Sequence, residues 1–141
     1  MSNTGLESLN RNVELTHDWL NELDGMLGWE DKHRTFRLLR ITLQTLRDCA
    51  PMVEAAQFAA QLPTFLRGVF YEHWRPGAKT QRFDVDRFLA QIDTAFAKDP
   101  LGDTADAVTA VFTLLSNRIS PGEIAEIRQS LPASIRQLWP Q

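Results

Sequence analysis

The sequence predicts an all-α protein of about eight helices, built as two tandem four-helix units. Three observations carry that expectation. Apolar residues recur in steps of three and four along most of the chain. Convincing strand alternation is lacking, the short Phe83–Val85 stretch being the weak exception. The second half also repeats the first at a constant spacing of 69 residues: Leu62-Pro63 with Arg67 returns as Leu131-Pro132 with Arg136, Glu54 and Ala56 as Glu123 and Ala125, and Leu20 and Asp24 as Leu89 and Asp93. Elsewhere character is kept, as in Trp19/Phe88, Leu43/Phe112 and Phe70/Trp139. Unrelated helices share an apolar period, but rarely keep Leu-Pro, Glu and Arg in one register. The reading is therefore one helical domain over 1–141, with repeats at 16–72 and 85–141 and a linker at about 75–83.

In the first unit, Leu6, Leu9, Val13, Thr16, Leu20, Leu23 and Leu27 lie on one face of a helix that begins near Thr4. Gly28 suits the left-handed residue that closes it. A second helix runs from about Asp31 to Cys49. Its apolar stripe is wide (Phe36, Leu38, Leu39, Ile41, Leu43, Leu46), which predicts contact on several sides and a central position. Pro51 opens a short third helix whose Ala56 and Ala60 permit close approach. Pro63 opens a fourth, since a first-turn proline lacks only an N–H that would have no intrahelical partner. The polar run Arg75 to Arg82 contains a Pro-Gly break and reads as the linker.

The second unit follows the same order. Asp84 is a cap for a fifth helix ending near Ala97. Asp99-Pro100 reads as the start of the sixth. Ser120-Pro121-Gly122-Glu123 reads as a capping box for the seventh, with Glu123 reaching back. Leu131-Pro132 opens the last, which ends near Trp139.

Composition bounds function. A chain of 141 residues with a net charge of −3 is an ordinary soluble globular domain, poorly suited to non-specific duplex binding. Arg34, Arg37 and Arg40 form a local basic face, read mainly as a solvated helix surface. Cys49 is the only cysteine, so an intrachain disulfide and a multi-cysteine zinc site are excluded. No leader-like or membrane-spanning apolar run is visible. The expected setting is cytoplasmic.

The segments GLxxxxxxVxxTxxWLxEL (Gly5 to Leu23), AQLPxxLRGxxYExW (Ala60 to Trp74) and LPxxIRxLW (Leu131 to Trp139) resemble the bacterial family catalogued as domain of unknown function 2267. The resemblance covers nearly the whole chain. It implies a small all-helical protein with two related halves, and no activity, substrate or catalytic residue.

Candidate functional residues fall into two groups. Glu54 with Arg67, and Glu123 with Arg136, recur together and are expected to form an inter-helix ion pair in each half, the alternative being an anion site lined by the two arginines. The second group is the largely unduplicated Tyr71-Glu72-His73-Trp74-Arg75. Its aromatic and charged side chains are of the kinds that dominate binding hot spots, although Tyr71 and Trp74 also suit closure of the core. His17, His33 and His73 lack metal-ligand spacing, and neither a nucleophile motif nor a phosphate loop is found. Asp24 and Asp93 are matching positions of two units rather than an evident catalytic pair. The expectation is an interaction or scaffold module with no catalytic residue, cofactor or metal. Its partner is expected to be protein rather than membrane or nucleic acid, with self-association possible. The alternatives are a ligand-binding protein or enzyme with a pocket between the halves, reached first through Arg67, Glu72, His73 and Arg136, and a weak nucleic-acid binder.

Overall fold

The computed structural model describes residues 4–76 and 83–140. Among them lie eight helices and no strand: α1 (Thr4–Leu27), α2 (Lys32–Cys49), α3 (Met52–Ala59), α4 (Thr64–Tyr71), α5 (Val85–Ala95), α6 (Thr104–Arg118), α7 (Pro121–Gln129) and α8 (Ala133–Arg136). The all-α expectation holds, and Phe83–Val85 is no strand, since Val85 starts α5. The expected linker falls mostly on 77–82, outside the described residues. Phe83 at its far end is buried.

Local chemistry explains most boundaries. Gly28 closes α1 with φ 67°, and its amide donates to the Asp24 carbonyl at 2.8 Å. Asp31, Asp84 and Asp103 accept from the amides three residues on, at Arg34, Arg87 and Asp106, and so cap α2, α5 and α6. The sixth helix therefore starts at Thr104 rather than at Asp99-Pro100. Gly102 adopts φ 84° immediately before the Asp103 cap, and Asp99 is held by α2 instead. Pro63 has no capping side chain. Asn12 of α1 supplies one, its Oδ1 accepting from the Phe65 amide at 2.9 Å.

Helix α2 is central: it packs against α1, α3, α4, α5 and α6. Its Leu38, Leu39, Leu43 and Leu46 are wholly buried. They join Phe58, Phe70, Phe88, Phe112 and Trp139 in one apolar cluster. Trp139 stacks on Phe112 with ring centroids 4.1 Å apart. Polar links tie early helices to late ones. Arg118 meets Glu22 at 2.8 Å, and Gln91 donates to Thr45 at 3.1 Å. Helix α3 packs on α7, which lies 69 positions further on.

Some contacts recur at that same spacing. Thr35 Oγ1 donates to Asp24 Oδ1 at 2.7 Å, and Thr104 Oγ1 donates to Asp93 Oδ1. Arg67 and Arg136 each donate to the carbonyl five residues earlier, Leu62 at 3.2 Å and Leu131 at 3.1 Å.

Candidate functional site

The arginines expected in ion pairs do other work. No hydrogen bond or ion pair among the described residues joins Glu54 to Arg67 or Glu123 to Arg136. Arg67 instead satisfies the carbonyls of Ala59, Ala60 and Leu62, where α3 ends and leaves acceptors without intrahelical donors. The glutamates face another problem. Glu123 Oε2 is buried without a hydrogen-bond partner. Burial, the neighbouring Glu126 and Glu54 across on α3 push its carboxyl above the usual glutamate range. The capping box is thus one-sided: Ser120 accepts from the Glu123 amide at 3.4 Å, but that buried oxygen returns no bond.

The Tyr71–Trp74 cluster lies where α4 unwinds. Tyr71 is half-buried, edge-on to the core ring of Phe70 at 5.4 Å, and Trp74 lies against Tyr71 at 5.3 Å. Arg47 organises this turn from α2, with Nη1 donating to the carbonyls of Phe70 at 2.9 Å and Glu72 at 2.6 Å. It is a buried arginine that the sequence reading passed over. Glu72 pairs with Arg40 at 3.4 Å, and His73 takes the left-handed φ of 63° on the surface. No contact brings Arg67, Glu72, His73 and Arg136 together.

The basic face of α2 is also engaged. Arg34 and Arg37 both bind Asp99, at 3.4 and 3.1 Å, and lie over aromatic rings, Arg34 on Trp29 at 4.2 Å and Arg37 on Phe96 at 4.6 Å. The hydrogen bond from Arg37, with help from Arg34, holds the Asp99 carboxyl below its ordinary range. These guanidiniums tie α2 to the segment that follows α5. Burial and the adjacent Asp48 push the Cys49 thiol up to about 12, which disfavours its thiolate near neutral pH. Among the described residues no group of three His, Cys, Asp or Glu is placed to hold a metal ion.

A better-formed candidate lies between α1, α2 and α4. Val13, Thr16, His17, Leu20, Lys32, His33, Phe36 and Phe65 line a groove of about 410 Å³. A second hollow of about 450 Å³ shares Phe36 and Phe65 and continues along α2 and α4 to Arg40 and Glu72. The rings of Phe36 and Phe65 meet at 6.2 Å and form the ridge between the two. Phe65 is 53% exposed and Val13 47%, although both sit beside the core. The first groove has no carboxylate in its lining. It has His17, Lys32 and His33 at its rim, and none of the three has a hydrogen-bond or ion-pair partner among the described residues. Asp24 lies near Lys32, but its Oδ1 is occupied by Thr35 and by the Asp31 amide at 3.2 Å.

Of the residues expected to act in binding, only Glu72 borders this region. His17 and His33 lack metal-ligand spacing, and Asp86 and Gly102 stand at their positions 69 residues on. Sixteen positions separate them, and only the turn between α1 and α2 brings them to one groove. The available signal was the lack of counterparts: Phe36, Phe65 and Lys32 stand opposite Ala105, Ser134 and Leu101.

Comparison with known proteins gives the class. Residues 16–138 match the model of the family described as uncharacterized conserved protein, DUF2267. The chain belongs to that family. No curated protein is a significant match. None of the described helices is long and apolar enough to cross a membrane.

Proposed function

We propose that this protein is a non-enzymatic interaction module whose docking surface is the α1–α2–α4 groove, and that the groove receives an amphipathic helix with acidic flanks. One observation carries the reading: large apolar side chains stay exposed around a hollow bordered by Lys32 and two imidazoles and lined by no carboxylate. Isolated exposed leucines are ordinary, whereas a contiguous apolar hollow with a polar rim marks a contact surface. Helix-in-groove recognition uses apolar residues spaced three and four apart on the incoming helix. Lys32, His17 and His33 favour acidic residues beside them.

The Tyr71–Trp74 cluster fits docking less well, because its rings lie against each other and against Phe70. A small-ligand reading draws on the volume, which falls within the roughly 300–1,000 Å³ of small-molecule sites. The apolar lining shared by this groove and the adjoining hollow along α2 and α4 favours an elongated partner.

The test is affinity capture from a bacterial lysate with the wild type, Phe65→Glu and the double variant Tyr71→Ala/Trp74→Ala. The expected result is a complex that survives the double variant and is lost with Phe65→Glu at unchanged helicity. A complex lost only with the double variant would move the docking surface to α4's end.

A further inference from the structure

We infer that a second copy of this chain fills the groove, each copy laying the early turns of α1 into the other's α1–α2–α4 groove about a twofold axis. The inference rests on the interaction-module reading and names the partner.

The first argument is the course of one helix face. Positions 9, 13, 16 and 20 follow the apolar spacing of α1. Leu20 and Thr16 are each 8% exposed, whereas Val13 is 47% and Leu9 59% exposed. The seam that buries α1 in the core therefore continues outward along the same helix through Val13 and Leu9, which no described residue covers. The helix keeps its regular form through this stretch, so the stripe is presented on a rigid element.

The second argument is charge. The exposed early turns of α1 carry Glu7 and Glu14 against Arg11, whereas Glu22 and Asp24 further along are engaged within the molecule by Arg118 and Thr35. The early part of α1 is thus an apolar stripe with a small acidic excess beside it. The groove supplies the opposite sign through Lys32, with His17 and His33 beside it.

The third argument is position. Val13 belongs both to the stripe and to the groove lining. Stripe and groove therefore form one patch, and a patch complementary to itself is what a twofold contact requires. In an antiparallel pair of helices centred on Val13, Leu9 of one copy lies over His17 of the other, and the reverse contact follows by symmetry. At the 69-residue offset Ser134, Ala105 and Leu101 stand in place of Phe65, Phe36 and Lys32, so the residues that build this groove are not repeated there. The contact thus closes as a pair rather than growing into a filament.

Sedimentation velocity on the full chain, from about 1 µM to about 0.2 mM, tests this. The expected result is a concentration-dependent monomer–dimer equilibrium. Leu9→Glu abolishes it, while Lys32→Glu weakens it at least about tenfold at low salt. Both positions are exposed, so circular dichroism stays at the wild-type value, with a small loss of melting temperature for Lys32→Glu, whose charge helps hold Asp24. A wild type that remains monomeric throughout overturns the inference, as does a dimer that both variants leave intact. The two readings separate cleanly. A monomeric chain whose captured partner is lost with Phe65→Glu leaves the interaction module standing and removes the second copy as its occupant.

Discussion

Asp24 shows how one buried side chain carries structure. Its Oδ1 accepts from Thr35 Oγ1 and from the Asp31 amide, so a single carboxylate fixes the turn between α1 and α2. The Thr35 hydrogen bond is the main reason its carboxyl is held below the ordinary aspartate range, with Asp31 and the charge of Lys32 adding to it. A depressed folded-state value means that the stabilisation is present above the unfolded pKa and is lost as pH falls through the folded one. Asp93 and Thr104 make the matching contact where Asp93 is exposed. Thr35→Val should therefore cost roughly 1.5–3 kcal/mol, the range for a hydrogen bond to a charged group, and Thr104→Val clearly less. Urea unfolding at pH 7 measures both. The Thr35/Thr104 and Asp24/Asp93 correspondence was legible in the sequence. Their bond was not, because eleven positions separate donor and acceptor and only the hairpin brings them together.

At the scale of elements, caps and prolines were legible because their signals are local. Asp31, Asp84, Ser120 and Gly28 act within a few residues of the helix ends they set. Asp99-Pro100 misled because it carries the same local signal, while tertiary contact decides its role: Arg34 and Arg37 hold Asp99 against α2, and Asp103 caps α6. The expected Glu–Arg pairs failed for a related reason. The carbonyls at the α4 and α8 entry turns take the arginines' hydrogen bonds, and the glutamates are left at the α3–α7 contact. There half-buried Glu123 has one buried, unpartnered oxygen and acidic neighbours. Its folded-state value is raised, so the native state is favoured below the ordinary glutamate value and that advantage is lost as pH rises through the folded value. Glu123→Gln should raise the melting temperature at pH 7, with the gain shrinking toward pH 4. A constant gain across that range would place the cause in packing rather than charge.

Across the whole molecule, helix content and a central α2 followed from periodicity, because a wide apolar stripe must be covered on several sides. The groove did not follow. Val13, His17, Lys32, Phe36 and Phe65 come from three helices, and no spacing rule links them. On the proposed reading, what the chain offers a partner is set by this convergence, and the second half has Ala105 and Ser134 in place of the two phenylalanines. The central claim is that the α1–α2–α4 groove is the working surface. The most direct measurement is photo-crosslinking in cell lysate from a benzoylphenylalanine at position 65, beside the same probe at exposed Gln129 on α7. The account predicts one strong adduct from position 65, to another protein or to a second copy, that Lys32→Glu diminishes, and none from position 129. Equal labelling from both positions, or an adduct indifferent to Lys32→Glu, would contradict it.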